Sequence, residues 1–250
     1  MKLYLTGGAV RDHLIDSRST PKDIDFAVEA DSFETMFLGL HHLGVRVYKS
    51  LPHFVSIRGA IPYQSVAGKF IFTRSWSGDV DATIPADFTL CRAETQYSDR
   101  RHPDTVTPTS IGEDMMRRDF TMNALAMNED GDILDVSSGV TDIRKGTLRC
   151  VGLPRERFME DPLRILRAVR FMVTLGFHPD IALSNALRDP NVVDGLSTIP
   201  VERVQDEVNK ALRVSWRQTM LGIMVNHPLI GDSLARWFDS LWFKATTEEK

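Results

Sequence analysis

The chain has 250 residues, of which 42% are hydrophobic and 26% charged, with a formal net charge of −4. This is the composition of a globular protein with one large or two modest domains, and its slightly acidic balance excludes a protein that coats nucleic acid indiscriminately, so a polyanion site must be a local basic patch. The lack of an apolar run of about 18 residues and of an apolar leader predicts no membrane contact and no export, and Cys91 and Cys150, too few for a disulfide scaffold and without metal spacing, read as small core residues in a reducing cytoplasm.

In chain order, KLYLT (2–6) predicts a strand that runs into Gly7-Gly8 and a short helix, AVRDHLI. DIDFAV (23–28) alternates like a strand with one solvated face. Asp31 or Ser32 caps a helix to about residue 42, closed by Gly44. Further strands are predicted at 45–49, 53–59, 69–74 and 87–92, followed by a polar loop over 95–111 with two prolines. ALAMN and DILDV, on either side of Glu129-Asp130-Gly131, predict a hairpin. From Pro154 the pattern turns helical, over 155–175, 180–188, 200–213, 215–226 and about 231–243, punctuated by Gly176, Pro190, Pro200 and Pro228. Strands first and helices afterwards predict an α+β fold, with a mixed-sheet catalytic domain over 1–150 and a helical region over 151–250.

Several residues on this frame can do chemistry. Gly7-Gly8 at a strand-to-helix turn offers backbone N–H groups to a phosphate, and Arg11 can add a charge-assisted contact; a plain tight turn is the alternative. Asp23 and Asp25, two apart on a strand, point to one face and repel unless a cation lies between them. Hard oxygen ligands of this kind suit Mg²⁺ with substrate phosphates as its other ligands, and a two-metal site accounts for the pair. Two aspartates on an exposed strand are the plainer reading. Asp87, opening a later strand, is a third carboxylate if that strand pairs alongside. Arg117 and Arg118 either neutralise charge on a triphosphate or are exposed helix-end arginines.

The segment MEDPLRILRAVRF (159–171) sets Arg164, Arg167 and Arg170 beside an apolar stripe of Ile165, Leu166, Val169, Met172 and Val173. One reading is a solvated face with an Asp–Arg pair. The other is base recognition. A carboxylate accepts from an exocyclic amine and an arginine donates to a ring nitrogen, so Asp161 and Arg164, one turn apart on a helix, would read C and A and reject G and U. Arg167 would steady the pair or reach phosphate. The C-terminal LARWFDSLWF (234–243) repeats Leu234, Trp237, Phe238, Leu241 and Trp242 at helical spacing. That stripe predicts core packing or a homodimer face, with stacking on an RNA end as the alternative.

Together, YLTGGAVRDHLI…KDIDFAV, CRAETQYSDRRHPDTV, EDMMRRDFTMNALAMNEDGDILDVSSGVTDI and EDPLRILRAVRFMVTLGF resemble the class II tRNA nucleotidyltransferases, the bacterial CCA-adding enzymes and their poly(A) polymerase relatives. The resemblance runs over roughly residues 1–180 in order. It implies a nucleotidyltransferase head of the DNA polymerase beta superfamily, a helical neck, and template-independent addition of C, C and A from CTP and ATP to tRNA 3′ ends. It implies Mg²⁺ at Asp23 and Asp25, nucleotide binding by Gly8, Arg11 and Arg118, and base reading by Asp161 and Arg164 with Arg167 and Arg170 beside them. The loop over 95–111 falls where the family switches from C to A addition. One departure is DVSSG (135–139), which lacks the proline of the family's Asp-Pro-x-(Gly or Asn)-Gly turn. The other is the short stretch after the base-reading helix, which implies a form with little of the family's body and tail. A-only, C-only or poly(A) addition are alternatives within this chemistry; a transferase that nucleotidylates a protein, or a retired RNA- or nucleotide-binding module, are alternatives outside it.

Overall fold

The computed structural model describes residues 1–18, 23–70, 81–95 and 105–234. These divide into two compact units, one running to Arg144 and one beginning at Lys145. Among the described residues no helix is long and apolar enough to cross a membrane.

The first unit is built on a seven-stranded mixed sheet. Its strands are β1 (Lys2–Thr6), β2 (Asp25–Glu29), β3 (Arg46–Leu51), β4 (Ser56–Pro62), β5 (Thr83–Leu90), β8 (Leu125–Met127) and β9 (Ile133–Asp135), in the order β3-β4-β5-β2-β1-β8-β9. Only β2 and β5 run parallel; the remaining neighbours are antiparallel. Side chains alternate along β5, with Ile84, Ala86, Phe88 and Leu90 buried, which gives the sheet one core face and one more open face. On the core face Phe26 stacks on Phe88 with ring centroids 5.4 Å apart and meets Phe70 edge-on at 5.1 Å. Helix α1 (Gly8–Ile15) packs on β1 and β8. Helix α2 (Phe33–His42) begins where Ser32 accepts the Thr35 N–H, and the chain leaves it through Gly44 at φ 77°.

Several expectations shift by a few residues for local reasons. The strand expected over 53–59 starts at Ser56, because Pro52–Phe54 form a 3₁₀ turn and Val55 takes a left-handed φ of 45°. Lys69 and Phe70 lie in a turn rather than a strand, and 71–74 lie outside the described residues. Part of the expected loop has regular structure. β6 (Arg92–Thr95) pairs antiparallel with β7 (Thr105–Pro108), and Ser110 then caps a helix, Ile111–Met116, by accepting the Glu113 N–H; residues 96–104 lie outside the description. The predicted hairpin at β8–β9 is present, with Gly131 at φ 90° in its turn.

The second unit is helical apart from one short parallel strand pair, Thr147–Leu148 with His178–Pro179. The helix expected over 155–175 is two helices, Pro154–Glu160 and Leu163–Leu175, with Asp161 extended at φ −139°, ψ 100° between them. Pro162 is the cause: its ring disfavours helical backbone at the preceding residue and suits a helix start. Gly176, left-handed at φ 68°, closes the second helix. Val201–Leu212 packs along Leu163–Leu175. The helix expected over 215–226 changes character at Leu221, where Trp216–Met220 gives way to a π-helical turn through Asn226. The chain is helical again over 228–234; most of the C-terminal aromatic stripe, 235–243, lies outside the described residues.

Candidate active site

The site is built around the turn that ends β1. Gly7 adopts φ 66°, ψ −132°, a backbone state open essentially to glycine alone. It lets the chain turn from strand to helix with the first N–H groups of α1 unpaired, an arrangement that receives anions. A Cβ on Gly7 would lie 3.6 Å from Nη1 of Arg118 and 3.9 Å from Oδ2 of Asp25. Three predicted features, the glycine turn, the carboxylate and the arginine, therefore meet at one point. Arg11 stands one turn into α1, its Nε and Nη2 donating to Asp12 Oδ1 at 2.8 and 2.7 Å and its Nη1 to Asn123 Oδ1 at 2.8 Å. Asn123 is itself held by donating to the buried Asp119. A Cβ on Gly8 would meet Arg11 Nη2 at 3.4 Å, so that guanidinium lies over the helix start.

The parallel pairing of β2 with β5 sets Asp25 opposite Asp87 and Phe26 opposite Phe88. Because side chains alternate, the two phenylalanines enter the core and the two aspartates share the open face. Asp23 precedes the strand, in a bend, rather than lying on it as predicted; it is exposed, with Ile24 buried after it. The carboxyl of Asp25 is pushed above its ordinary range, first by lost hydration and then by the negative charge of Asp87, with Asp23 adding to the repulsion and Arg118 opposing it. Asp87 is held from the other side by Arg58, its register partner on β4, at 3.3 Å. Among the described residues no three His, Cys, Asp or Glu side chains form a ready-made cluster. Mutually repelling carboxylates on an open face, with oxygen donors only, nevertheless fit a hard divalent cation such as Mg²⁺.

Arg118 owes its position to a residue that the sequence reading passed over. Asp114 is 1% exposed; it accepts from Arg117 Nη2 at 2.7 Å, from Arg118 Nη2 at 3.3 Å and from the Arg92 N–H at 3.2 Å. Burial alone would raise its pKa, but Arg117 and Arg118 outweigh burial and hold the carboxyl below the usual range. Arg117 and Arg118 are thus neither loose helix ends nor both directed at substrate: Arg117 serves Asp114, and Arg118 spans Asp114 and the Gly7 turn. The signal was in the sequence, as an aspartate three and four residues before two arginines on a helix with an S-x-x-E start.

In the second unit, Asp161 and Arg164 lie on either side of the Pro162 break, not one turn apart on a single helix. Asp161 Oδ1 accepts the Leu163 N–H at 3.1 Å and Oδ2 meets Arg203 Nη2 at 3.4 Å. Arg164 Nη1 donates to Glu160 Oε2 at 2.9 Å and to the Arg157 carbonyl at 3.2 Å. Arg167 and Arg170 both turn toward Glu207, at 3.9 and 2.6 Å. Glu207 is 4% exposed; burial would raise its pKa, and Arg170 first, with Arg167 and Lys210, brings it below its ordinary value. The arginine ridge is therefore neither a solvated face nor wholly free for a ligand: its C-terminal part joins two helices. Arg203 and Glu207 were not anticipated, because their partners lie about 40 residues earlier, beyond the reach of local periodicity.

Residues 68–149 match the family of the poly(A) polymerase head domain. The chain is 38% identical over 210 residues to the CCA-adding enzyme of Leuconostoc mesenteroides, covering 84% of this chain and 45% of that protein. It is 47% identical over 127 residues to the CCA-adding enzyme of Lacticaseibacillus paracasei, covering 50% of this chain and 31% of the relative. In structure it is similar to the CCA-adding enzyme of Bacillus stearothermophilus in complex with CTP, with a TM-score of 0.66 at 29% identity over 88% of this chain and 47% of the other. The chain spans about half the length of the longer-matching curated relatives, 45% and 49% of the two Leuconostoc proteins.

Proposed function

We propose that the chain is a nucleotidyltransferase of the CCA-adding enzyme and poly(A) polymerase kind, and that it transfers nucleotidyl units from CTP or ATP to the 3′ end of tRNA, as CCA addition or repair. The observation that carries this reading is the meeting of the Gly7 turn, Asp25 and Arg118, whose side chains come within 4 Å of where a Cβ on Gly7 would lie. A phosphate-receiving turn, a carboxylate short of a cation and a guanidinium are what attack on a nucleoside triphosphate needs, and the relative from B. stearothermophilus holds CTP.

In this mechanism an RNA 3′-oxygen attacks the α-phosphorus in line; the new P–O bond forms as the bond to pyrophosphate breaks, and the hydroxyl proton leaves to water. Asp23 and Asp25, with Asp87 beside Asp25 as a third carboxylate, would hold Mg²⁺, which when bound would supply positive charge to acidify the attacking hydroxyl and offset charge on the leaving oxygen. Gly8 and the N-terminus of α1 receive the triphosphate, Arg11 and Arg118 neutralise it, and positioning supplies much of the acceleration. The catalytic part is the head over 1–150 and the RNA-facing part the neck over 151–250. In the neck Asp161 and Arg164, with Arg167 beside them, select the base. Held by Arg203 and Glu160, both side chains are oriented before a nucleotide arrives, which favours selectivity over adaptability.

The test offers the protein three tRNA transcripts, ending before CCA, after C and after CC, with one labelled nucleotide at a time and Mg²⁺. Extension that stops at CCA and vanishes in Asp23→Ala/Asp25→Ala supports the proposal. Addition of A alone, C alone or an unbounded tail replaces CCA addition with that narrower activity. No incorporation on any transcript refutes tRNA as acceptor.

A further inference from the structure

The second unit contains a cavity of about 660 Å³ that the transfer reaction leaves unused. Its walls include Val169, Met172 and Phe177 on one side and Leu221, at the start of the π-helical turn, on another. Its polar groups include Arg188 and His227. His227 is 6% exposed, and among the described residues its Nδ1 has no hydrogen-bond partner. Arg188 is exposed and donates to Ser184 Oγ at 3.1 Å, with no carboxylate partner among the described residues. A buried imidazole nitrogen without a partner, beside a guanidinium that has no carboxylate among the described residues, is an unfinished polar arrangement at the edge of an apolar hollow.

We infer that this cavity binds a small amphipathic anion, its ring-sized apolar body packed among Val169, Met172, Phe177 and Leu221 and its acidic group set between Arg188 and His227. The volume falls in the range of sites for small organic molecules, about 300–1,000 Å³. Apolar lining with a few convergent polar groups is the usual make-up of such sites. A guanidinium recognises a carboxylate, sulfonate or phosphate alike, so acid class is left to the experiment. Burial, and then the charge of Arg188, lowers the pKa of His227, so the empty cavity favours the neutral ring and an arriving anion would draw it back toward protonation.

Naphthalene-1-sulfonate is the first probe, with phenyl phosphate and benzoate as its phosphate and carboxylate counterparts and uncharged 1-naphthol as the control. Binding is followed on the full chain by the ring signals of its seven histidines in ¹H–¹³C NMR. The expected result is a saturable shift of His227 and His178 alone, with affinity about tenfold lower in Arg188→Ala, the loss of one charge-assisted contact. Arg188 is on the surface, so that variant keeps its fold; Met172→Trp, which fills the hollow, abolishes the shift. No saturable shift at millimolar probe, equal binding of 1-naphthol, or an Arg188→Ala affinity unchanged from the parent each overturns the inference. The readout is binding alone and stands apart from nucleotidyl transfer.

Discussion

Replacing Asp114 by asparagine tests the electrostatic framework beneath the head. In the native chain its side chain is 2% exposed and neutralises Arg117 and Arg118, whose side chains are 24% and 21% exposed. Removing one partner of a buried ion pair costs about 3–5 kcal/mol. Both arginines can turn part of their guanidinium to water, and the amide oxygen of the new side chain would still accept the Arg92 N–H, so the loss is expected at or just below the low end, about 2–3 kcal/mol. Urea unfolding at pH 7 measures it, provided the slope of the transition is unchanged. The pH dependence gives an independent check. Asp114 titrates lower in the folded chain than in the unfolded one, so its stabilisation is complete above the ordinary carboxylate value of about 4 and is lost as pH falls through the folded value. Asp114→Asn therefore shows its deficit at neutral pH, and its stability curve converges on the parent's in acid. A deficit below about 0.5 kcal/mol, typical of a surface change, or one that persists undiminished in acid, refutes the reasoning.

Asp25→Asn should abolish transfer and at the same time raise the melting temperature, because it removes a charge that burial first, and then repulsion from Asp87 and Asp23, disfavours; thermal unfolding beside the incorporation assay reads both. Glu207→Ala should cost about 3 kcal/mol in urea unfolding, since it leaves Arg170 without the carboxylate that it meets at 2.6 Å. Ser138 occupies a left-handed position at φ 66°, and Ser138→Gly should stabilise by about 0.5–1 kcal/mol, the relief of strain less the looser unfolded chain. Next to it, Gly139→Ala should cost more than about 3 kcal/mol, because a Cβ there would sit 2.1 Å from the Thr121 carbonyl oxygen; circular dichroism melts separate these two neighbours.

The DVSSG segment shows why a missing proline mattered less than its absence suggested. Asp135 accepts the N–H groups of Ser137, Gly139 and Val140 at 2.8–3.2 Å, so the side chain of the aspartate ties the turn and Ser138 takes the strained position that glycine or asparagine takes in the resembling motif. The essential residue is Gly139, where the close approach of Thr121 leaves no room for a side chain. In the 159–171 segment the opposite happened. Helical spacing of apolar residues ran unbroken across Pro162 on paper, and the periodicity outweighed a local rule that proved decisive at Asp161.

The sequence by itself determined the local features: the strand into Gly7-Gly8, the Ser32 cap, the hairpin at Gly131, the helix stop at Gly176 and which groups are candidates for phosphate and metal. Each depends on residues a few positions apart, whose spacing and backbone preferences act without the rest of the chain. The tertiary structure alone decided which distant residues meet. Asp87 faces Asp25 because two strands about 60 residues apart pair in parallel register; Arg118, braced by Asp114, reaches the Gly7 turn from the bend just past a helix; Arg170 finds Glu207 37 residues away. Such contacts are set by register and by helix packing, which a period of two or of 3.6 residues constrains on each element but not between them.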